Sequence, residues 1–519
     1  MRTHAQRELP HDGTRRAERW HSVARNVAFL PVVVGIFAMA VSLISVGIPS
    51  LWADEAATVV GSTRGLPELL RMSESVDAVH AFYYAMMHFV FEVFGYSPVT
   101  LRAPSAVAVG GAAALTVVLG RQLDSTRLGL IAGVVYAVLP RTTWSGIEGR
   151  SFAFTSLLAV ALTVVFIHAI QSPRKRWWFI YGALTVISGL MFIYLTLIVV
   201  AHAITLAIRL VMKSGQNRAQ VPLNSRIWIG WATATAGAVV LLVPFLLFVM
   251  GQTGQVQWLG PLGAHTRSEV IRSQWFLHSP LFAALGWLFL ALGLIRLVRS
   301  RVRPLTLSVI VPLLVIPTAI LLIVSALHAP IYNPRYLAMC LPFVATMMAV
   351  GIEGLRGKYT AVVAVTVIAA VAVPQYLAQR VPQAREKDRS PWSQVADSIA
   401  ADRTEQAAIE APETAVVYGS DGFHGISGRV IAHSYPDAFA GLLDITERIP
   451  AAQSPRLWAV DYELEASLSR LDGIDQVYVI SGGSDEAFPG MLTQIETEGF
   501  TQDESWDISE VRVVRLSRE

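Results

Sequence analysis

The sequence predicts an all-α polytopic membrane protein of about eleven spans, ending in a small α/β domain. Three observations predict it. First, the 519 residues are 53% hydrophobic and only 15% charged, where soluble domains carry about 25% charged residues; mean hydropathy is +0.49. Second, apolar runs of membrane-crossing length recur as far as residue 376. Third, the composition turns polar near residue 378 and no further apolar run follows. The net charge of +3 implies no bulk attraction to nucleic acid. The single cysteine, Cys340, excludes an internal disulfide and any site built on several thiolates.

The elements follow in order. Residues 1–27 form a basic tail containing Arg2, Arg7, Arg15, Arg16, Arg19 and Arg25. The apolar run after it is about 20 residues, longer than the roughly 7–15 of a signal-peptide core, and so reads as the first transmembrane helix. Spans are expected near 28–50, 103–120, 128–140, 152–171, 177–193, 195–212, 227–250, 279–298, 304–326, 337–355 and 360–376. Alternate loops hold Arg121 and Arg127; Arg174, Lys175 and Arg176; Lys213, Arg218 and Arg226; Arg296 to Arg303; and Arg356 with Lys358. The positive-inside bias makes that side cytoplasmic. The opposite side receives a long first loop, 51–102, and shorter loops at 141–150, 251–278 and 328–335. An odd span count puts the C-terminus outside as well. The expected organisation is therefore a cytoplasmic tail 1–27, a transmembrane domain 28–377 and an extracytoplasmic α/β domain 378–519.

In that last part "AVVYGS" (415–420), "LWAVDY" (457–462), "QVYVIS" (476–481) and "VRVVRL" (511–516) read as strands. Residues 392–403 and 490–499 read as helices, and the alternation indicates α/β. "SGGS" (481–484) lacks the glycine spacing and following Lys of a phosphate loop.

Chemistry concentrates on the outer loops. "LWADEAAT" (51–58) sets Asp54 and Glu55 at the start of a helix just beyond the first span. An acidic first turn serves helix stability. A partly desolvated carboxylate at the lipid boundary also serves as a general base. Glu55 would point elsewhere, because adjacent helical residues do not share a face. In "DAVHAFYYAMMHFVFEVFG" (77–95), His80, Tyr84, His88 and Glu92 recur every four residues on one helical face. This is either a helix lying on the membrane surface or a lid over a polar cavity. His80 and His88 are two turns apart, against the i, i+4 spacing of helical zinc ligands, and no metal is expected. "WSGIEGRSFAF" (144–154) and "YNPRYLAMCLP" (332–342) each put an Arg at the outer mouth of a span, against the charge bias. Arg150 and Arg335 there suit either a boundary ion pair, for instance with Glu148, or a phosphate, which a planar guanidinium matches.

Together these residues resemble the membrane glycosyltransferases of the GT-C fold. More closely, they are similar to the bacterial branch of glycosyltransferase family 39, related to protein O-mannosyltransferases and lipid A aminoarabinose transferases. The resemblance rests on "WADEAAT", "VHAFYYAMMH", "FGYSPVTLRAPSAVAVG", "IEGRSFAF" and "NPRYL". It covers residues 50–155 well and 325–345 fairly, and the middle spans in hydropathy alone. Ala81 and Phe82 replace the two prolines usual after the His, and Phe152 replaces the Tyr after Arg150. The resemblance implies inverting transfer of a sugar, mannose first among the candidates, from a polyprenyl-phosphate donor to a cell-envelope glycolipid, glycan or protein. It implies Asp54 as catalytic base and Arg150 and Arg335 as holders of the donor phosphate. It implies a substrate cavity containing Glu55, Asp77, His80, Tyr84, Glu148 and Tyr336, and no cofactor.

Other functions compete. The same reaction with arabinofuranose or another pentose or hexose fits equally. A lipid-linked-sugar transporter would need the spans without a base, and an assembly partner would use the outer domain for binding. The acidic pair on a long outer loop favours an enzyme. A transporter would carry charges within its spans, and these spans are nearly free of them.

Overall fold

The structure is a computed structural model and describes residues 29–213, 225–252, 259–300, 304–408, 412–420, 426–482 and 485–518. Each expected apolar run falls on a helix. Among the described residues eight helices are long and apolar enough to cross a membrane: Pro98–Leu123, Phe152–Gln171, Ile193–Val211, Ser225–Met250, Pro280–Arg299, Pro304–Leu327, Pro334–Glu353 and Thr360–Ala378. The chain is a multi-pass membrane protein; eight long helices do not confirm the expected eleven or so spans, and the runs near 28–50 and 128–140 fall on shorter apolar helices. Helix α1 is described over Phe29–Leu43. Thr126–Val138 is about 20 Å long against a hydrocarbon core of about 30 Å, because Pro140 ends one helix and begins the next, Pro140–Ser145. Lys175–Met191 opens on two cations and has 17 residues.

The spans divide into central and lipid-facing helices. In the most apolar part of Pro334–Glu353 89% of the residues are buried, against 17% in that of Ser225–Met250. The latter exposes Val240, Leu241 and Leu247, an outward apolar surface that only lipid covers without cost.

The first loop is built of three helices, α2 (Ala53–Ser62), α3 (Leu66–Ser75) and α4 (Ala81–Phe94). Helix α5 (Pro98–Leu123) follows, then α6 (Thr126–Val138), α7 (Pro140–Ser145) and α8 (Phe152–Gln171). In α4, Phe89, Val93 and Phe94 are exposed while Tyr83, Tyr84 and Met87 are buried. The apolar edge thus faces outward and the side carrying Tyr84 faces the protein.

The C-terminal part carries a five-stranded sheet of order β2-β1-β5-β7-β6. Its strands are β1 (Thr414–Tyr418), β2 (Leu443–Asp444), β5 (Gln476–Gly482), β6 (Phe500–Ile508) and β7 (Val511–Arg518), and β3 (Glu447–Ile449) pairs with β4 (Val460–Asp461) beside it. β1 runs parallel to β2 and β5; β7 is antiparallel to β5 and β6. The strand expected at 457–462 reduces to the two residues of β4. β6 escapes sequence reading because "TQDESWD" has no apolar face. It is an exposed, charged edge strand, as edges that avoid unwanted pairing are. Side-chain alternation splits the sheet. Ala415, Val417, Val477, Val479 and Leu516 join one core. Val416, Tyr418, Tyr478 and Val513 join a second, which also contains Leu51, Ala56, Val59, Met72, Tyr83, Tyr84 and Trp392. The sheet and the first loop therefore share one hydrophobic core.

Buried charges complete the join. Arg102 of α5 donates from Nε and Nη2 to Glu55 at 2.7 and 2.6 Å. Lys387, beyond the last span, lies 2.8 Å from both Glu55 and Glu148. Trp52 Nε1 donates to Glu148 at 2.9 Å. Burial raises the Glu55 carboxyl, but Arg102 and Lys387 outweigh it and hold the group below its ordinary value. Glu148 is pushed up to about 7 by burial, with Lys387 pulling it down and Glu55 adding to the rise. A carboxyl so raised keeps a proton that the unfolded chain has released. Its contribution to stability therefore falls as pH rises from about 4.5 to about 7. Lys387→Met extends that fall above pH 7, because Glu148 loses the cation that lets it ionise. Unfolding in detergent should show a loss of up to ~3–5 kcal/mol at pH 8 and a smaller one at pH 6, and adding Glu148→Gln should remove the difference between the two. An equal loss at both pH values would refute the shared-lysine arrangement.

Candidate active site

Helix α2 begins after Trp52, whose backbone is extended and whose side chain makes no capping bond. Asp54 and Glu55 lie in its first turn rather than at its cap. Successive helical side chains are about 100° apart, and here they separate completely. Glu55 turns inward to Arg102, while Asp54, whose side chain is 28% exposed, faces a cavity of about 290 Å³.

Six segments wall that cavity. Asp54 and Ala57 come from α2; Asp77 and His80 from the turn before α4; Arg150 and Phe152 from the start of α8. Phe192 and Tyr194 come from the junction of two spans, and Arg335 and Tyr336 from the 3-10 turn leading into Leu341–Glu353. Leu457 and Trp458 of the C-terminal part close it. Their position is set by Arg64, only 1% exposed, which donates to the carbonyls of Ser454, Arg456 and Leu457 at 2.7, 2.8 and 2.5 Å.

The charged groups are held from behind. Arg335 Nη1 lies 2.5 Å from Asp54 Oδ2, and the guanidinium sits 5.4 Å from the Trp52 ring and 6.0 Å from that of Phe152. Arg150 Nη1 donates to Tyr84 Oη at 2.9 Å, and Tyr84 donates to Asp77 Oδ2 at 2.8 Å. Asp77 itself adopts a left-handed backbone, φ 56°, which polar Asp tolerates better than most residues. The loop bearing Arg150 is pinned by Glu55, which accepts from Gly149 N at 2.8 Å, and by Thr58, which donates to Gly149 O at 2.8 Å. A side chain at Gly149 would meet Leu101 at 2.7 Å. Phe152, Phe192, Tyr194 and Tyr336 form a contiguous aromatic wall with ring centroids 5.3–6.5 Å apart. His80 is pulled down to about 4, first by burial and then by Arg150, so it faces the cavity as a neutral donor and acceptor.

Of the residues expected at a site, the structure brings together Asp54, Asp77, His80, Arg150, Arg335 and Tyr336 on one cavity, with Tyr84 directly behind. Glu55 and Glu148 do not line it; both are 0% exposed and belong to the buried charge cluster. Nor does Glu148 pair with an outer-mouth Arg, since its cation is Lys387. The even face expected over 77–95 is broken at its start. His80 lies in a 3-10 turn, His88 meets the Ser62 carbonyl at 3.1 Å, and Glu92 is exposed. Sequence reasoning missed Phe192 and Tyr194, hidden in an apolar run, and Trp458, which is distant in the chain. Among the described residues no group of three or more His, Cys, Asp and Glu side chains is placed to hold a metal ion.

Neither a family profile nor a curated protein of similar sequence matches the chain. Solved structures do. ArnT from Cupriavidus metallidurans bound to undecaprenyl phosphate aligns with a TM-score of 0.54 at 13% identity, over 93% of this chain and 97% of that one. The same protein in its apo state aligns with a TM-score of 0.56 at 13% identity, over 94% and 97%. At such identity the likeness is one of fold, and the fold is the GT-C fold.

Adjacent tyrosines test the site's construction. Tyr84→Phe removes the hydroxyl joining Arg150 to Asp77 and should cost ~1–3 kcal/mol. The buried Tyr83 hydroxyl lies near the Ser105 hydroxyl but out of hydrogen-bonding geometry. Tyr83→Phe should therefore be close to neutral in the same unfolding measurement. Equal losses for the two would mean that Tyr84 only fills space.

Proposed function

We propose that the protein is an inverting glycosyltransferase that moves a sugar, mannose first among the candidates, from a polyprenyl-phosphate donor to a hydroxyl of a cell-envelope acceptor. The observation that carries the reading is the Asp54–Arg335 pair on a cavity that also holds Arg150 and an aromatic wall. ArnT, which shares the fold, has been crystallised with undecaprenyl phosphate, a lipid of the donor class. Phe192 and Tyr194 of its wall stand at the head of the apolar helix Ile193–Val211, which exposes Val200, Ile204 and Leu210, a surface along which an isoprenoid tail would lie.

The chemistry follows from the side chains. The donor phosphate binds between Arg150 and Arg335, whose forked guanidinium groups suit its oxygens. Arg335 already bonds Asp54, so an arriving phosphate competes for it and draws it from the carboxylate. Asp54 then accepts the proton of the acceptor hydroxyl. The hydroxyl oxygen forms a bond to the anomeric carbon as the bond from that carbon to the phosphate oxygen breaks, with inversion. The electron pair leaves on the lipid phosphate, whose charge the two arginines stabilise. Aromatic rings and neutral His80 orient the sugar. The same reading takes 28–377 as the catalytic membrane domain and places the cavity and residues 378–519 on the extracytoplasmic side.

Incubation of the purified protein with defined polyprenyl-phosphate sugars should release polyprenyl phosphate, and release from none of them would remove the reading. Asp54→Asn keeps the shape of the group but not its basicity. Transfer should fall by about 10²–10⁴-fold with donor affinity no weaker, because Arg335 loses its competitor. Arg335→Lys should weaken donor use and Arg335→Ala more so; unchanged donor KM and kcat in Arg335→Ala would leave that residue only a structural part. For orientation, a periplasmic-type phosphatase reporter fused after Arg389 should be active, and a silent reporter would put the cavity on the cytoplasmic side.

A further inference from the structure

We infer that the groove between the helices Lys175–Met191 and Ser225–Met250 binds an anionic membrane phospholipid, at the membrane face opposite the Asp54 cavity. The two helices run parallel, since Trp178 meets Gly230, Gly182 meets Ala234 and Gly189 meets Leu242 in step. They pack closely. A side chain at Gly182 would meet the Ala234 carbonyl at 3.2 Å, and one at Gly189 would meet Leu242 at 2.6 Å. Near their first turns lies a space of about 790 Å³, lined by Lys175, Trp178, Phe179, Arg226, Ile229 and Thr233 among others.

The first of these helices fixes the depth of the groove. Its far end leads into Phe192 and Tyr194, which wall the Asp54 cavity. Its 17 residues span about 25 Å, most of a hydrocarbon core of about 30 Å. The groove therefore opens at the other face of the membrane. Trp177, Trp178, Trp228 and Trp231 gather at this end of the two helices, and tryptophan marks the boundary between lipid and water. Lys175 and Arg226 are exposed just beyond them, at headgroup depth. Phe179 and Ile229 are exposed about one turn further in, at the depth of acyl chains.

Charge of a single sign selects the headgroup. None of the described residues lining the groove is acidic. The chain has no Asp or Glu between Glu148 and Glu269, while Arg174, Lys175, Arg176 and Arg226 stand at the heads of the two helices. The N-terminal ends of both helices add to the positive potential there. A phosphodiester with no cation of its own answers this charge, and its acyl chains cover Phe179 and Ile229. A zwitterionic phospholipid brings a further cation to a lining that already holds two. An apolar helix of a partner protein would cover Phe179 and Ile229 but bring no charge to the cations. A polyprenyl phosphate has both parts, but the donor site proposed above holds its phosphate at the opposite face, between Arg150 and Arg335. Setting the isoprenoid aside rests on that transferase reading; the choice of an anionic lipid does not.

Native mass spectrometry of the full chain in detergent tests the site, with dioleoylphosphatidylglycerol, dioleoylphosphatidylcholine and undecaprenyl phosphate as probes. Phosphatidylglycerol should bind about tenfold or more tightly than phosphatidylcholine. Lys175→Gln combined with Arg226→Gln should weaken it about 25-fold, about fivefold for each cation. Arg356→Gln combined with Lys358→Gln removes the same charge from exposed positions outside the groove and should leave binding unchanged. Thr233→Trp fills the groove without touching its cations and should also weaken binding. Thermal unfolding reports whether each variant folds, and the two pairs of exposed charge substitutions carry the test if Thr233→Trp does not. Equal binding of the two phospholipids, equal losses in both charge pairs, or full binding by a folded Thr233→Trp protein would overturn the site. Tighter binding of undecaprenyl phosphate than of phosphatidylglycerol, lost in the Lys175 and Arg226 pair alone, would give the groove to the isoprenoid and overturn the phospholipid assignment. Release of polyprenyl phosphate from a donor is a separate measurement. Its failure beside the expected lipid result would remove the transferase reading and leave the lipid site standing.

Discussion

Four buried charges, Glu55, Arg102, Glu148 and Lys387, tie together four segments far apart in sequence. Their cost in desolvation is large, and an apolar replacement of equal volume is often as stable. What such a cluster supplies here is direction. Glu55 can satisfy Arg102, Lys387 and the Gly149 amide together only at one rotation of α2. That rotation turns its neighbour Asp54 toward Arg335. The same bond to Gly149 sets the loop from which Arg150 enters the cavity. Lys387 lies past the last span, so the cluster also fixes where the chain leaves the membrane domain and enters the C-terminal part.

The C-terminal part is consequently a component of the cavity as well as a covering for it. Its sheet gives one face to the core of the first loop, Tyr418 and Tyr478 belonging to the same hydrophobic cluster as Val59 and Met72. Tyr435 accepts the Leu51 amide at 2.8 Å, and Tyr96 donates to the Ser434 carbonyl at 2.6 Å. With that packing in place, Arg64 binds the carbonyls of Ser454, Arg456 and Leu457 and so holds Leu457 and Trp458 against the cavity that Asp54 lines.

The alignment with ArnT at 13% identity over almost the whole of both chains follows from what the fold requires. Spans need apolar surface of a given length, which many sequences meet. A sheet face needs alternation, which is equally permissive. The groups that do chemistry are few, and a shared fold does not transmit their substrate. Substrate class must be argued from the cavity, where Asp54, Arg150 and Arg335 meet an aromatic wall.

The sequence by itself determined the class of protein, the place of each apolar helix, the change of composition near residue 378, and most of one wall of the cavity. These were legible because hydropathy and charge are local: "WADE", "IEGR" and "NPRY" place their charges at the ends of apolar runs whatever the chain does elsewhere. The adjacency of Asp54 and Glu55 even determined that one would face away from the other. Only the tertiary structure decided which faced where. Glu55 and Glu148 look like cavity residues in one dimension and are buried because Lys387, 239 residues beyond Glu148, comes to meet them both. Trp458, Phe192 and Tyr194 carry no local signal, since an aromatic residue in an apolar run or a turn is ordinary. Their part in the cavity comes from long-range packing, which hydropathy does not encode.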